Sequence, residues 1–366
     1  MSFFLAEQGK FVPPLFLKFK ARYNKSIFGD GMATIKDIAQ EAGVSTVTVS
    51  NVIRGAKSHV SQETYEKITK LIEKHHYTPN MMARTLVTKN SHLIGFINHS
   101  ESLQEGEIQD DPFFGLLLRS IERDLSLKNY YLMTKTVTNE QEFQSICDNW
   151  NLAGLIVYGV FEGSFFNKLS RSKIPCVFID SYIAGNSCYN VGLEDYKGAY
   201  RATEYLISSG HKNIAFVSPV IFDTGVVHER FMGYRDALRD NGIEFKQENV
   251  YQVSTLSSGI PLGEKLAERN DLTAAFATAD LLALGIMAGL QRKGKKVPED
   301  ISVMGFDDIF ESRLFVPSLT TVRQDVRQKA ASTVNNLLDL IDGKEVIKNT
   351  ILPIQIIERD SVKKIR

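Results

Sequence analysis

The chain is poor in the residues that mark secreted, metal-bound or membrane proteins. Three cysteines in 366 residues, Cys147, Cys176 and Cys188, are odd in number and form no CxxC spacing. A disulfide framework or a structural zinc site is therefore not expected, and a reducing, cytoplasmic compartment is. No apolar run approaches the ~20 residues of a membrane span, and the first residues have neither the basic start nor the small-residue cleavage site of a signal peptide. There is no GxxxxGK[ST] phosphate loop, no Ser/His/Asp set and no cluster of metal ligands. No catalytic residue, metal or cofactor is therefore expected, and a sugar-handling enzyme is a poor alternative. Charge of one sign is also lacking: 43 Lys and Arg balance 43 Asp and Glu.

The distribution of that charge is informative. Residues 32–90 hold eight Lys or Arg against five Asp or Glu, and residues 1–31 hold five against two. The remaining 30 against 36 make a mildly acidic body behind a basic front, which is the asymmetry phosphate binding requires. Residues 1–31 include FVPPLFLKFKAR, with a proline pair and no amphipathic period. They are expected to be an extension ahead of a natural start at Met32, or a disordered arm that adds nonspecific DNA contacts.

Residues 34–60, TIKDIAQEAGVSTVTVSNVIRGAKSHV, read as two short helices and a tight turn. Thr34 can cap the first helix, whose apolar face is Ile35, Ile38, Ala39 and Ala42. Gly43 stops it, since glycine takes positive φ cheaply at a helix end. Ser45 can cap the second helix, in which Val49, Val52 and Ile53 point inward and Thr46, Val47, Ser50 and Asn51 outward. Spacing alone leaves a helix-turn-helix and an ordinary helical hairpin even. A third helix begins after Ser61, with Tyr65, Ile68, Leu71 and Ile72 inward. Thr78-Pro79-Asn80 breaks the pattern. The short apolar MMARTLV that follows is marginal as an isolated helix, and reads as a hinge that folds in a complex or as a plain linker.

From residue 92 strands alternate with helices: HLIGFIN, YYLMTKT, AGLIVY and PCVFID, then a restart at NIAFVS, VYQV, TAAFAT and ISVMGFDD. This predicts an α/β body of two doubly wound parallel sheets, with a ligand cleft beyond the strand C-termini.

Taken together, TIKDIAQEAGVSTVTVSNVIRG, VSQETYEKI and HYTPNMMARTL, followed by DPFFGLLLRSIE, AGLIVYG, ERFMGYRDAL, FATADLLALG, VPEDISVMGFDD and PSLTTVRQD, closely resemble the lactose-repressor/galactose-repressor (LacI/GalR) family of bacterial transcription regulators. The resemblance covers residues 32–362. It implies a helix-turn-helix domain over 32–78, a hinge helix and linker over 79–90, and a periplasmic-binding-protein-like body over 91–366. Lobe 1 is expected at about 91–208 and 322–345, and lobe 2 at about 209–321 and 346–362. It implies a homodimeric repressor of carbohydrate-utilisation genes on a near-palindromic DNA operator, responsive to a sugar or sugar phosphate. Control by a phosphorylated carrier protein, or by a purine, is the alternative.

By matching position, Thr46, Val47 and Asn51 face base edges, where valine can meet a thymine methyl and asparagine an adenine edge. Ser45, Ser50 and Lys57 suit phosphate. Ala83 and Arg84 belong to the hinge, and Leu86 is the minor-groove wedge. Phe113, Phe114, Arg230 and Asp280 match effector positions, although the two rings are equally well explained as core. Three departures stand out. One additional residue precedes Val60. Ser254 stands where some members carry an aromatic ring. Residues 101–111 form a long acidic insertion. Nothing after Val362 resembles a tetramerisation helix, so a dimer is expected.

Overall fold

The protein was analysed as a computed structural model that describes residues 33–53, 55, 60–77, 91–99, 111–159, 173–182, 188–253 and 256–365. These form two compact units, one within residues 1–90 and the other within 91–366.

In the first unit, α1 (Ile35–Ala42), α2 (Thr46–Ile53) and α3 (Gln62–Lys74) share one small core. Thr34 and Asp37 cap α1 reciprocally: the Thr34 N–H donates to Asp37 Oδ2 at 2.7 Å and the Asp37 N–H to Thr34 Oγ1 at 3.4 Å. Gly43 ends the helix at φ 72°. Ile38, Ala39, Ala42, Val49, Val52 and Ile68 are buried together, with Ile35, Val44, Ile53, Tyr65, Leu71 and Ile72 packed around them. The helical spacing of the sequence thus accounts for the whole core.

The second unit contains two six-stranded sheets. The first has the order β11-β5-β4-β3-β1-β2, from β1 (Leu93–His99), β2 (Tyr131–Val137), β3 (Gly154–Tyr158), β4 (Cys176–Ile179), β5 (Tyr189–Leu193) and β11 (Asn349–Leu352). The second has the order β12-β10-β9-β8-β6-β7, from β6 (Ile214–Ser218), β7 (Val250–Gln252), β8 (Ala274–Ala277), β9 (Ser302–Asp307), β10 (Thr320–Arg323) and β12 (Gln355–Ile357). Every pairing is parallel except β10 with β12. Near-continuous burial along β1, β3, β6, β8 and β9 follows from helices covering both faces.

On the first sheet, α4 (Pro112–Ser126) packs beside α10 (Val326–Ile341), and α5 (Glu140–Asn149) covers the opposite face through Phe143 and Ile146. On the second, α6 (Asp195–Ser208) packs against α7 (Val226–Asp240), and α8 (Leu256–Leu266) against α9 (Asp280–Arg292).

Two lobe boundaries differ from expectation. Helix α6 belongs to the second lobe, because Gly198 lies against the Phe306 ring of β9 and α6 packs on α7. Strand β11 belongs to the first, because it pairs with β5 over Asn349–Leu352. The chain therefore crosses between lobes just before Asp195, near Gln324 and after Leu352.

Candidate functional site

The outward face of α2 offers one candidate surface. Thr46 and Val47 are exposed, Val47 at 65 %, while Ser50 and Asn51 are half-buried. Ser45 is engaged at the helix start: its Oγ accepts from the Thr48 N–H at 3.1 Å and bonds the Thr48 hydroxyl at 2.9 Å. Glu41 pins α1 to the end of α3 through Lys74 at 2.6 Å and His75 at 2.5 Å, and Lys67 Nζ donates to the Ala42 carbonyl at 2.9 Å. Helix α2 is thus presented on a braced frame. Lys57, Ala83, Arg84 and Leu86 lie outside the described residues.

The second candidate is the cleft beyond the strand C-termini of the body. Asp180 closes β4 at φ 52°, and Asp307 and Asp308 close β9 at φ 125° and 59°. Positive φ costs a non-glycine residue about 1–3 kcal/mol and concentrates at ligand sites. Arg230 on α7 is buried and lies 3.6 Å over the Phe306 ring. Its Nε donates to Asp195 Oδ1 at 2.8 Å and its Nη1 to the Thr278 carbonyl at 2.5 Å, while Tyr182 donates its hydroxyl to Asp195 from the first lobe.

A parallel chain runs through Lys329. Its Nζ donates to both Asp180 oxygens, at 2.7 and 2.6 Å, and to Gln324 Oε1 at 2.9 Å, while Gln324 Nε2 donates to Asp307 Oδ1 at 2.5 Å. Both chains begin in the first lobe and end in the second. Burial raises the proton affinity of Asp180, against the pull of Lys329, and of Asp307, against the pull of Arg230. Burial also pushes the Tyr158 hydroxyl up, with Asp180, Asp111 and Asp307 adding to the rise, so these groups converge on one ring.

The structure reassigns one expected site residue. Asp280 is fully buried and does not open to the cleft. Its Oδ2 accepts from the Ile309 N–H at 3.0 Å and the Ser312 hydroxyl at 2.7 Å, and its Oδ1 from the Thr321 hydroxyl at 2.5 Å. A side chain at Gly305 would bring a Cβ to 2.2 Å from that Oδ1. Asp280 therefore ties down the loop after β9, and of the acids ending β9 it is Asp307 that the Arg230 charge pulls on, beside the ion pair of Arg230 with Asp195. Phe113 and Phe114 are buried in the main core. Phe114 also packs 5.6 Å from Tyr158, and Phe113 lies 5.7 Å from the Lys329 ammonium, so both are core rings that touch groups at the strand ends. Sequence reading missed Asp180, Asp195, Asp307, Gln324 and Lys329. The signal for two of them was present, an acid ending an apolar strand in PCVFID and in VMGFDD.

Comparison with known proteins finds a family match in both units of the chain. Residues 34–80 match the bacterial regulatory proteins of the lacI family, and residues 203–362 match the periplasmic binding protein-like domain. The chain is 31 % identical over 341 residues to the HTH-type transcriptional repressor PurR of Erwinia tasmaniensis, covering 90 % of this chain and 97 % of that one. This chain belongs to the LacI family. To the probable HTH-type transcriptional repressor ExuR of Bacillus subtilis, this LacI-family regulator is 32 % identical over 340 residues, 91 % of this chain and 99 % of the relative. A crystal structure of the Lac repressor dimer bound to operator and the anti-inducer ONPF superimposes with a TM-score of 0.77 at 25 % identity, covering 90 % of this chain and 99 % of that one. The LacI-family chain is thus a DNA-binding transcriptional regulator and not an enzyme. No helix among its described residues is long and apolar enough to cross a membrane.

Proposed function

We propose that the protein is a cytoplasmic repressor that binds a near-palindromic operator as a dimer and releases or grips it in response to a small hydroxyl-rich ligand in the cleft. The observation that carries this is the pair of bonded chains, Tyr182–Asp195–Arg230 and Asp180–Lys329–Gln324–Asp307, that join the two lobes through the cleft. A ligand that competes for these groups changes the balance between lobe arrangements, and a regulator needs such differential binding.

In this reading Thr46, Val47 and Asn51 contact base edges, while Ser45, Ser50 and Lys57 contact phosphate. Ala83, Arg84 and Leu86 form the hinge contact. Arg230 and Asp307 orient the ligand between the walls of Phe113 and Phe114, and Asp280 fixes the loop that carries Asp307. Dimerisation is supported by the solved relative, described as a dimer, and by an apolar segment in which Phe310, Leu314 and Val316 are all strongly exposed.

Selection of bound sequences from random DNA tests the reading. A two-fold symmetric site is expected, and Asn51→Ala should relax preference at one base pair per half-site by about 1–3 kcal/mol. Enrichment without symmetry, or unchanged preference in the variant, contradicts it. A cleft ligand should then shift affinity for the selected site roughly 5–150-fold.

A further inference from the structure

Near the end of β1 one polar atom has nothing to bond. Asn98 is the next-to-last residue of that strand and 5 % exposed, and its Oδ1 is buried with no hydrogen-bond partner among the described residues. The C-terminal end of the strand is the cleft end. An acceptor left without a donor costs the folded protein stability.

The surroundings of this oxygen are apolar on one side and bare on another. Alternation along β1 puts Asn98 on the face of Phe96, and the register sets it beside Tyr158 of β3. Phe96, Phe114 and Tyr158 close a triangle of rings, with centroids 5.9 Å apart for Phe96 and Phe114, 6.5 Å for Phe96 and Tyr158, and 5.6 Å for Phe114 and Tyr158. Asn98 follows Phe96 on this face, so its amide stands at the cleft rim of the rings. Beside it, Gly159 follows β3 at φ 79°. A Cβ there would lie 3.6 Å from Asn98 Oδ1, but only 2.7 Å from the His99 carbonyl oxygen. The fit of Gly159 against β1 thus keeps a side chain from covering Oδ1 at this position.

A ring wall with one neutral acceptor at its rim selects a ligand group. Ring faces take apolar C–H surface, and Oδ1 takes a proton donor. A carboxylate oxygen or an ionised phosphate oxygen has no proton to donate. A protonated amine has one, but its charge would be buried beside a neutral amide. A hydroxyl donates without that cost. Nor does Lys329 offer an anchor for an anion, because its three N–H groups already serve both Asp180 oxygens and Gln324 Oε1.

We propose that Asn98 is a specificity-determining residue of the effector site, whose Oδ1 accepts from one hydroxyl of an uncharged sugar seated against Phe114 and Tyr158. This rests on the cleft reading above and narrows it, from a hydroxyl-rich ligand to an uncharged one with a hydroxyl fixed at this wall.

The test uses the full-length protein with glucose, galactose, mannose, xylose, arabinose and ribose, each beside its terminal phosphate and its monodeoxy analogues, with binding followed by calorimetry. At least one neutral sugar should bind, and more tightly than its phosphate. Loss of one particular hydroxyl should weaken that sugar about tenfold. Asn98→Leu keeps the bulk and removes the acceptor. It should weaken the intact sugar by a similar factor and bind intact and deoxy forms alike. A deoxy penalty of unchanged size in the variant, a phosphate that binds best, or no binding by any neutral sugar overturns the proposal.

A second measurement needs no ligand. Asn98→Leu should raise the melting temperature of the unliganded protein, because it replaces an unpartnered acceptor with an apolar group beside rings; an unchanged or lowered value overturns the proposal. The regulator reading fails separately. A sugar that binds and alters operator affinity without regard to Asn98 would retire this inference and leave that reading standing. A sugar that shows the Asn98 preference but leaves operator affinity unmoved would do the reverse.

Discussion

Asp280 and Asp307 carry the same carboxylate and do different work, and their partners decide which. Asp280 has three protein donors and no route to solvent. Asp307 has one amide donor and a guanidinium within electrostatic reach. Removing a donor from a buried carboxylate leaves that group short of a bond and costs about 1–3 kcal/mol. Thr321→Val removes the hydroxyl that serves Asp280 Oδ1 with little change of shape, so chemical denaturation should show a loss of about that size. Ligand affinity of the folded variant should stay close to the parent value. Asp307→Asn should behave oppositely, with stability retained or raised and ligand affinity lost. Equal effects of the two changes on binding would mean that Asp280 takes part in recognition after all.

At the level of elements, α8 and α9 pack more closely than helices with side chains at the contact allow. A Cβ on Gly263 would stand 2.2 Å from the Ile286 carbonyl oxygen, and one on Gly289 2.1 Å from that of Ile260. Neither oxygen can give way without moving a helix. Gly263→Ala should therefore destabilise by about 1–3 kcal/mol, as overpacking does, despite alanine's better helix propensity. A gain in stability in a denaturant series would show that the helices can separate freely.

The same packing marks the limit of what sequence discloses. The three helices of the first unit were legible because their apolar spacing needs no partner outside 35 residues or so of chain. Strands β1 to β4 and β6 to β9 were legible from apolar runs alone, whereas β5 (Tyr189–Leu193) and β10 (Thr320–Arg323) were not. The lobe to which α6 and β11 belong was not. Gly198, Ala199 and Ala202 make a narrow apolar face that suits either sheet, and only contact with Phe306 decides it. Helix α8 begins at Leu256 and runs through Pro261, ahead of the start near residue 262 that its proline invites. In the cleft, acids ending apolar strands could be read from the chain. Lys329 could not, because one lysine on an amphipathic helix reads as solvent-exposed until Asp180 and Gln324 are seen beside it.

For the whole molecule, pH separates two opposing groups of titrating side chains. Asp280 is pushed up to about 6, first by burial, with Asp308 adding to the rise. Its neutral form is favoured by folding, so its contribution is complete below the ordinary aspartate range and is lost as pH rises through about 6. His211 runs the other way. It is fully buried, and its Nε2 lies 3.1 Å from the Lys363 carbonyl, which fixes the proton on that nitrogen and leaves Nδ1 a bare acceptor with no partner. Burial lowers its proton affinity, against the pull of the hydrogen bond to the Lys363 carbonyl, and the Lys363 charge lowers it slightly as well. Folding thus favours neutral His211: its contribution is complete above the ordinary histidine range and is lost as pH falls, because the unfolded chain takes up a proton that the folded chain refuses. The structure that depends on it is the C-terminal segment, where the Ile365 N–H donates to the Ser209 carbonyl at 2.8 Å beside the buried ring. Between neutral pH and the lower edge of histidine titration, the parent protein should lose melting temperature, and amide exchange should rise first at Ile365. His211→Gln, which keeps a donor for Lys363 and cannot titrate, should flatten that part of the profile while leaving the rise contributed by Asp280 at lower pH in place. A variant profile with the parent's slope would place the acid-side loss elsewhere than at His211.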